Sequence, residues 1–287
     1  MPSIPAIEYN LLEKGDSKTI SFLQTYLNDV GFFVIKNHPL PASTIQDVFD
    51  YSKELFNLSV EDKLKYKVPN CNGAVGYTPY GIETAMNENV ADQKEFWHQG
   101  SNSNPDLLPN VYPKEMNNPH KIDDLFLEFE EIAKKVLACF TSFNIDYNAD
   151  LLDIANNGNS TLRLIHYPKT ENNNEQRARA HSDVNLITLL VGGNESGLEA
   201  QNRNGDWVDC NCNENEIICN VGDMLEIVSN GHLKSTIHRV VSKGNSDRSR
   251  YSIPFFLHPR PEVILDPKTN LTADQFLTQR LVDIKLK

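Results

Sequence analysis

The residue types of a metal site occur in the second half of the sequence, at His181, Asp183 and His238. His181 alone among the eight histidines has a carboxylate residue two positions on, and residues i and i+2 of a β-strand point to the same side. His238, in the strand-like run Ser235–Val240, is the best candidate for a third ligand. Two histidines and one carboxylate on one face of an ion suit non-haem Fe(II), because the opposite face stays open to substrate and O₂. The sequence therefore predicts a catalytic Fe(II) site at these three residues.

The six remaining histidines are interpreted as structural. None of them has a carboxylate at strand spacing, and a lone histidine is more often a packed or solvated side chain than a metal ligand. These histidines are His38, His98, His120, His166, His232 and His258.

A second pair of residues, Arg250 and Ser252, has the chemistry of an anion site. The two are at positions i and i+2 and therefore share one strand face, which Phe256 also shares. A guanidinium presents a fork of donors that fits a carboxylate, and a serine hydroxyl can add one more. A buried arginine also needs an anionic partner. The pair predicts a receptor for one end of a dicarboxylate, whereas Arg248, beside a turn, is expected to be exposed.

The elements that must position these residues differ between the two halves of the chain. Residues 1–150 are predicted to be mainly helical, with one short buried strand at Phe32–Ile35. Apolar residues at spacings of three and four predict a scaffold helix over Ile122–Phe140. Residues 69–119 are rich in Pro, Asn and Gly, which predicts a long irregular, lid-like segment, and such segments are usually functional.

Residues 151–287 are predicted to form a jelly-roll core that carries the metal site. Short apolar runs alternate here with turn residues, a pattern typical of a sandwich or barrel. Thr272, with Asp274 in the first turn, predicts a closing helix at the C-terminus. The whole chain is therefore expected to be one domain of mixed α and β structure. The apolar runs are Leu162–Tyr167, Asn185–Val191, Glu216–Val221, Met224–Val228 and Tyr251–Leu257.

Composition excludes some partners. The formal net charge is −12 with no basic run, so phosphate backbones repel the chain and nucleic acid is not an expected partner. No apolar run reaches the roughly 18 residues that a membrane helix needs. The N-terminus shows no secretory pattern, and five cysteines, an odd number, favour a reducing compartment. A cytoplasmic protein, monomeric or weakly homo-oligomeric, that acts on a small molecule is expected.

The motifs in this chain closely resemble those of the isopenicillin N synthase-like iron(II)/2-oxoglutarate-dependent oxygenases. They occur in order over nearly the whole chain, which makes the resemblance far more specific than a lone His-x-Asp. The matching segments are Gly31–His38, Lys94–Trp97, Leu162–Pro168, His181-x-Asp183, Asn220–Gly231, Lys234-Ser235, His238–Val240 and Arg250-x-Ser252.

The resemblance implies a double-stranded β-helix, or jelly roll, with helices packed outside it. It implies Fe(II) at the two histidines and the aspartate named above, with O₂ and 2-oxoglutarate as co-substrates. The far carboxylate of 2-oxoglutarate would meet Arg250 and Ser252, and Tyr167 matches the tyrosine that assists them. Oxidation of a small metabolite, with hydroxylation as the expected outcome, would then yield succinate and CO₂.

Two alternatives stay open from the sequence. Some relatives, including isopenicillin N synthase itself, use no 2-oxoglutarate, and their Arg-x-Ser pair holds a substrate carboxylate. A non-catalytic jelly-roll binding protein is the third possibility, although it would not need an intact triad. The expected substrate contacts are Phe96, Trp97 and Phe256 as walls, and Arg163 as either an anion contact or a partner of a structural carboxylate.

Overall fold

Two facing β-sheets and a layer of helices form the protein in the computed structural model, which describes residues 4–69, 71, 73–83, 91–104, 107–169, 176–191, 197–241 and 248–284. In chain order the strands are β1 (Ala6–Glu8), β2 (Phe32–Lys36), β3 (Gly76–Thr78), β4 (Glu95–Gly100), β5 (Thr161–Tyr167), β6 (Gln176–His181), β7 (Ile187–Val191), β8 (Leu198–Gln201), β9 (Trp207–Asp209), β10 (Ile217–Val221), β11 (His238–Val241), β12 (Arg250–Ser252), β13 (Pro254–Leu257), β14 (Ile264–Asp266) and β15 (Leu271–Thr272). The helices are α1 (Tyr9–Glu13), α2 (Ser17–Tyr26), α3 (Ala42–Asn57), α4 (Val60–Leu64), α5 (Lys121–Phe140), α6 (Leu151–Ala155), α7 (Asp223–Val228) and α8 (Ala273–Asp283).

The larger sheet has the strand order β1-β2-β10-β7-β13-β5-β4-β3, and β12 also pairs with β5. The smaller sheet has the order β6-β11-β8-β9. Strand pairing is antiparallel except between β1 and β2. Many neighbouring strands, such as β2 and β10 or β6 and β11, are far apart in sequence, because the chain crosses repeatedly between the two sheets. This arrangement confirms the predicted jelly roll with helices around it.

Two apolar clusters stabilise these layers. One fills the space between the sheets with alternate residues of both, such as Phe32, Ile165 and Val240. The other lies between the larger sheet and the helices, where the apolar stripe predicted for α5 is buried. Phe129 of α5 stacks on Phe255 of β13 with ring centroids 5.8 Å apart. Helix α5 thus supports the outer face of the sheet whose inner face carries the site.

Three local predictions have different outcomes. The closing helix is confirmed, since Thr272 and Gln275 form a capping box at the start of α8. Met224–Val228 is helical as part of α7, so the strand predicted there is wrong; its backbone bonds locally, from Glu226 N to Gly222 O, instead of joining a sheet. Among the described residues, no helix is both long enough and apolar enough to cross a membrane.

The prediction of an irregular segment over 69–119 is wrong where β3 and β4 lie. Most of the side chains of Glu95–Gly100 are buried, because β4 sits between β3 and β5 in the larger sheet. The pleat of the strand places successive side chains of β4 on opposite faces of the sheet, and both faces are covered. Residues 70, 72, 84–90, 105 and 106 of the segment lie outside the described residues. The N-terminal half is therefore less helical than predicted, since it contributes β1 to β4.

Candidate active site

Three side chains, His181, Asp183 and His238, converge at one end of the smaller sheet. His181 ends β6, His238 begins β11, and the two are direct antiparallel partners with ring centroids 4.4 Å apart. Asp183 lies just beyond β6. Its Oδ1 is 4.0 Å from Nε2 of His181 and 3.7 Å from Nε2 of His238. One donor atom from each residue lies within 4.8 Å of the others, the spacing that a single metal ion requires.

Hydrogen bonds fix which atoms of these residues point to their common centre. Nδ1 of His181 donates to the carbonyl of Arg179 at 2.6 Å, and Nδ1 of His238 donates to that of Thr236 at 3.1 Å. Each Nε2 lone pair is therefore free for a metal.

The aspartate is held in the same way. Oδ2 of Asp183 accepts from Thr188 Oγ1 at 2.6 Å and from Asn220 Nδ2 at 2.8 Å, which leaves Oδ1 on the side of the histidines. In each of the three side chains, one polar atom is thus held by hydrogen bonds, and the other points to the common centre.

The protonation states suit a divalent cation. Burial, together with the neighbouring His238, lowers the pKa of His181 to about 4, so its imidazole is neutral at pH 7. Burial opposes the charge of Asp183, but the two histidines and its hydrogen bonds lower the pKa of that carboxyl overall. Neutral imidazole nitrogen and ionised carboxylate oxygen, with one side left open, are the donor set of non-haem Fe(II). The residues present therefore fit this ion.

A close backbone approach holds the loop that carries Asp183. Gly222 lies so near to Asn185 that a Cβ there would be 2.1 Å from the Asn185 carbonyl oxygen. This contact allows Asp223 N to donate to Asp183 O at 2.8 Å. Residue 222 must therefore be glycine, because any side chain there would clash with the loop that carries Asp183.

The Asp223 side chain links three segments. It accepts hydrogen bonds from Ser182, between the two loop ligands, and from Ser235, which precedes His238. It also forms an ion pair with Arg280 of α8. The C-terminal helix is therefore attached to both chain segments that carry the converging side chains.

A cavity of about 410 Å³ opens beside the triad. Its wall is built by the inner faces of two adjoining antiparallel segments of the larger sheet, and the triad and α8 complete it. Along one segment the lining residues are Asn159, Thr161, Arg163, Ile165 and Tyr167; along the other they are Ser252, Pro254, Phe256 and His258.

Arg250, Ser252 and Tyr167 lie together at one end of this wall. Arg250 is the register partner of Tyr167, and Ser252 is the partner of Ile165. Burial raises the pKa of Tyr167, while the positive charges of Lys94 and Arg250 oppose that rise. Ser252 borders both this cavity and an adjoining cavity of about 920 Å³ that Arg250 also borders. The anion pair predicted from the sequence thus shares one end of the wall with Tyr167.

Arg163 lies further along the same wall and pairs with a carboxylate. Its Nη1 is 3.2 Å from Oε2 of Glu83, and its Nε donates to His98. Its guanidinium lies 4.3 Å from the centroid of the Phe96 ring and 5.3 Å from that of Phe256. Of the two possibilities open from the sequence, the ion pair with a carboxylate is present.

The predicted aromatic walls have mixed outcomes. Phe256 lines the cavity, and Phe96 lies beneath Arg163. Trp97 does not line it, because it points from β4 to the opposite face of the sheet, where it packs near Tyr66.

Sequence reasoning missed several cavity residues. Two histidines interpreted as structural, His98 and His258, line the cavity, as do Glu83, Asp92, Lys94 and Arg280. Strand parity could have identified both histidines, since His98 is two residues from Phe96 and His258 is two from Phe256. Lys94, two residues before Phe96, carries the same signal, whereas Glu83, Asp92 and Arg280 lie outside the strands and gave none.

Comparison with known proteins agrees with this site. The family profile described as 2OG-Fe(II) oxygenase superfamily matches residues 158–259, and the profile described as non-haem dioxygenase in morphine synthesis N-terminal matches residues 4–118. A 2OG-Fe(II) oxygenase family protein from Caulobacter crescentus has a similar crystal structure. It is 34% identical, with a TM-score of 0.85 over 98% of this chain and 99% of that one.

Two further relatives are a protein solved with 2-oxoglutarate and a named hydroxylase. A Neurospora crassa protein solved in complex with alpha-KG, which is 2-oxoglutarate, is 27% identical with a TM-score of 0.80, over 97% of this chain and 95% of that one. The homoarginine-6-hydroxylase 2-ODD-233 of Oryza sativa subsp. japonica is 28% identical over 87% of this chain and 80% of its own length.

The chain belongs to the 2OG-Fe(II) oxygenase family. It is a non-haem iron dioxygenase whose cofactors are Fe(II) and 2-oxoglutarate. The alternatives of an oxidase that needs no 2-oxoglutarate and of a non-catalytic jelly roll are not supported.

Proposed function

We propose that this enzyme hydroxylates a small metabolite and that His181, Asp183 and His238 hold its Fe(II). The metal, when bound, supplies the activation of O₂. In the balanced reaction, substrate, O₂ and 2-oxoglutarate give hydroxylated substrate, succinate and CO₂. One oxygen atom enters the substrate and the other enters succinate.

The observation that carries the proposal is the orientation of the three donor atoms. Each of the two imidazoles and the carboxylate is hydrogen-bonded through its second polar atom, so Nε2, Oδ1 and Nε2 are directed to one point. Bonds of this kind fix the tautomer and geometry of metal ligands, and their loss typically weakens metal binding about 10- to 100-fold.

For the co-substrate, we propose that Arg250, Ser252 and Tyr167 bind the far carboxylate of 2-oxoglutarate. Arg250 of β12 pairs with Tyr167 of β5. Tyr167 and Ser252 line the cavity, and Arg250 borders the adjoining cavity that Ser252 also borders. The cavity of about 410 Å³ is in the range of small-molecule sites, which supports a metabolite as the substrate.

Anaerobic titration with Fe(II) and then 2-oxoglutarate tests these assignments. The wild-type protein should develop a metal-to-ligand absorption band. The His181→Ala variant should bind Fe(II) much more weakly than the wild type. The Arg250→Ala variant should still bind Fe(II) but should need at least about tenfold more 2-oxoglutarate to form the band, because it loses a charge-assisted pair of hydrogen bonds.

Exposed residues of the same types provide the matched controls. His232→Ala and Arg248→Ala change a histidine and an arginine that are exposed, and both should titrate like the wild type. Absence of the band in wild-type protein, or equal loss in Arg248→Ala and Arg250→Ala, would contradict the assignments.

A further inference from the structure

The half of the cavity wall beyond Ile165 has polar groups that the proposed roles of metal and 2-oxoglutarate do not use. Four polar side chains along the two strand segments line it: Asn159, Thr161, Arg163 and His258. The backbone of this region is tightly connected, since Asn159 N donates to Pro259 O at 3.2 Å. These side chains are therefore held at fixed positions around one space.

Arg163 directs one donor into that space. Its Nε donates to His98 and its Nη1 to Glu83, and His98 in turn donates from Nδ1 to the carbonyl of Gly73 at 2.5 Å. Within the described residues the Nη2 atom of Arg163 has no hydrogen-bond partner, and this atom is not fully buried. Stacking on Phe96 and Phe256 restricts the guanidinium plane further. The remaining N–H groups of Arg163 are therefore available to a ligand in the cavity that this residue lines.

His258 offers the complementary group. Its Nδ1 donates to the carbonyl of Phe256 at 3.3 Å, so Nε2 keeps its lone pair. No described residue donates to this Nε2, which borders the same cavity. Burial, with the charge of Arg163 nearby, lowers the pKa of His258 to about 4, and the ring is neutral at pH 7. An uncharged acceptor thus borders the same cavity as the Arg163 donor.

The charges at this end are already balanced by protein groups. Glu83 pairs with Lys94 at 3.4 Å as well as with Arg163, and Lys94 pairs with Asp92 at 3.0 Å. Although burial alone would raise it, the charges of Arg163 and Lys94 lower the pKa of Glu83 to about 2, so this carboxylate is ionised. Arg179, which does not line the cavity, approaches Asp92 at 3.6 Å.

This balance disfavours an anionic ligand. A carboxylate placed against Arg163 would compete with Glu83 for a cation that is already paired, and an uncompensated buried charge is costly. A neutral carbonyl can accept from Nη2 without disturbing that ion pair. A neighbouring N–H of the same ligand can then donate to Nε2 of His258.

We propose that Arg163 and His258 recognise an uncharged substrate group that carries both a hydrogen-bond acceptor and a hydrogen-bond donor, as a carboxamide or a lactam does. The inference deepens the proposed function and rests on it, because it takes the molecule bound here to be the one that is oxidised. Arg163 and Tyr167 are four positions apart along β5, a distance of about 13 Å in extended chain. The recognised group therefore lies at the end of the cavity away from the proposed 2-oxoglutarate carboxylate site.

Three probes of similar shape test the group that is recognised: benzamide, acetophenone and benzoate. Their binding to the protein loaded anaerobically with Fe(II) and 2-oxoglutarate is measured by calorimetry. Benzamide should bind at least tenfold more tightly than benzoate, with acetophenone between them. Benzoate binding as tightly as benzamide would overturn the inference.

Two variants then assign the preference to residues. Arg163→Lys keeps a cation for Glu83 but lacks the second guanidinium nitrogen, and His258→Phe keeps the ring shape but lacks the acceptor. Each should reduce the ratio of benzamide to benzoate affinity at least fivefold, whereas Arg248→Lys and His232→Phe, at exposed positions, should leave it unchanged. An unchanged ratio in both cavity variants would also overturn the inference.

The outcome is separable from that of the proposed function. The absorption band of Fe(II) with 2-oxoglutarate reports the metal and co-substrate sites, and the benzamide preference is measured again on metal-free protein. A normal band without a benzamide preference contradicts only the inference. A preference that depends on Arg163 and His258 in protein that forms no band contradicts only the proposed function.

Discussion

Two buried charged clusters occupy opposite faces of the same strands, β4 and β5. Consecutive residues of the chain belong to different clusters, since Lys94 points to the cavity and Glu95 points to the helices. The inner cluster comprises Glu83, Asp92, Lys94, His98 and Arg163; the outer cluster comprises Lys63, Tyr77, Glu95 and His166.

The polar groups of the outer cluster form hydrogen bonds with one another. Glu95 accepts from Lys63 at 2.8 Å, from Tyr77, and from His166 at 2.7 Å. The His166 ring stacks against both Phe56 and Tyr251. Its Nε2 has no partner among the described residues, and this buried atom borders neither of the two cavities described above. Lys63 of α4 donates to Glu95 and to the carbonyl of Phe56 in α3, so this cluster joins both helices to the sheet.

The inner cluster has similar burial and similar residue types, but its groups border a cavity beside the triad. Buried charge therefore does not by itself identify a functional site. The distinguishing feature is hydrogen-bonding capacity that faces an accessible space. The following predictions test this distinction, from the largest expected effect to the smallest.

Glu95→Ala should cause the largest loss of stability. It leaves Lys63, whose side chain is 6% exposed, without its anion, and breaking such a buried pair typically costs about 3–5 kcal/mol. Urea unfolding measures the change. The affinity for 2-oxoglutarate should stay within about twofold, because the pair lies on the face away from the cavity.

The matched control for that change is Glu54→Ala, at an exposed position of α3, which should alter stability by no more than about 0.5 kcal/mol. If Glu95→Ala instead lost 2-oxoglutarate affinity at unchanged stability, the two faces would not be functionally distinct.

Glu83→Gln should lower the stability of the protein at neutral pH, by an amount that becomes smaller in acid. The folded pKa of Glu83 is about 2, below its ordinary value of 4.5, so its stabilising contribution is present above pH 4.5 and is lost as pH falls towards 2. A shift of this size corresponds to about 3 kcal/mol at neutral pH. The stability gap between wild type and variant should therefore narrow as the pH is lowered below 4.5.

Urea unfolding of both proteins over a series of pH values measures this gap, and Glu54→Gln serves as a control that should show no narrowing. A gap that stays constant through the acid range would mean that the inner carboxylate is not held ionised by Arg163 and Lys94, and the charge balance drawn for the cavity would be wrong.

Arg280→Met should have the smallest effect on global stability. The Arg280 side chain is 21% exposed and that of Asp223 is 13% exposed, and a partly solvated ion pair contributes about 1 kcal/mol or less. The change should appear instead as faster amide hydrogen exchange in α8, because the pair of Arg280 with Asp223 attaches this helix to the loop that carries Asp183. Gln279→Met, on the exposed side of α8, should leave exchange unaltered; equal acceleration in both variants would contradict the attachment.

Local patterns were sufficient where the signal repeats along the chain. The stripe of α5 and the cap at Thr272 follow from residue spacing within one element, and both are present. The residues Arg250 and Ser252 could be identified because i, i+2 parity fixes a common face in any strand. Met224–Val228 failed because a short apolar run fits either a strand or a helix, and its partners decide between them.

The sequence by itself determined which side chains could form the centre, His181, Asp183 and His238, together with the family to which their motifs belong. Only the tertiary structure decided which of the other charged residues join them. Lys94 and Glu95 are equally polar neighbours. The pairing of β4 with β5 directs Glu95 to the helices, and Lys94, one residue before the strand, lines the cavity. Residue type sets the chemistry that a side chain can perform, whereas the long-range pairing of strands sets which groups it meets.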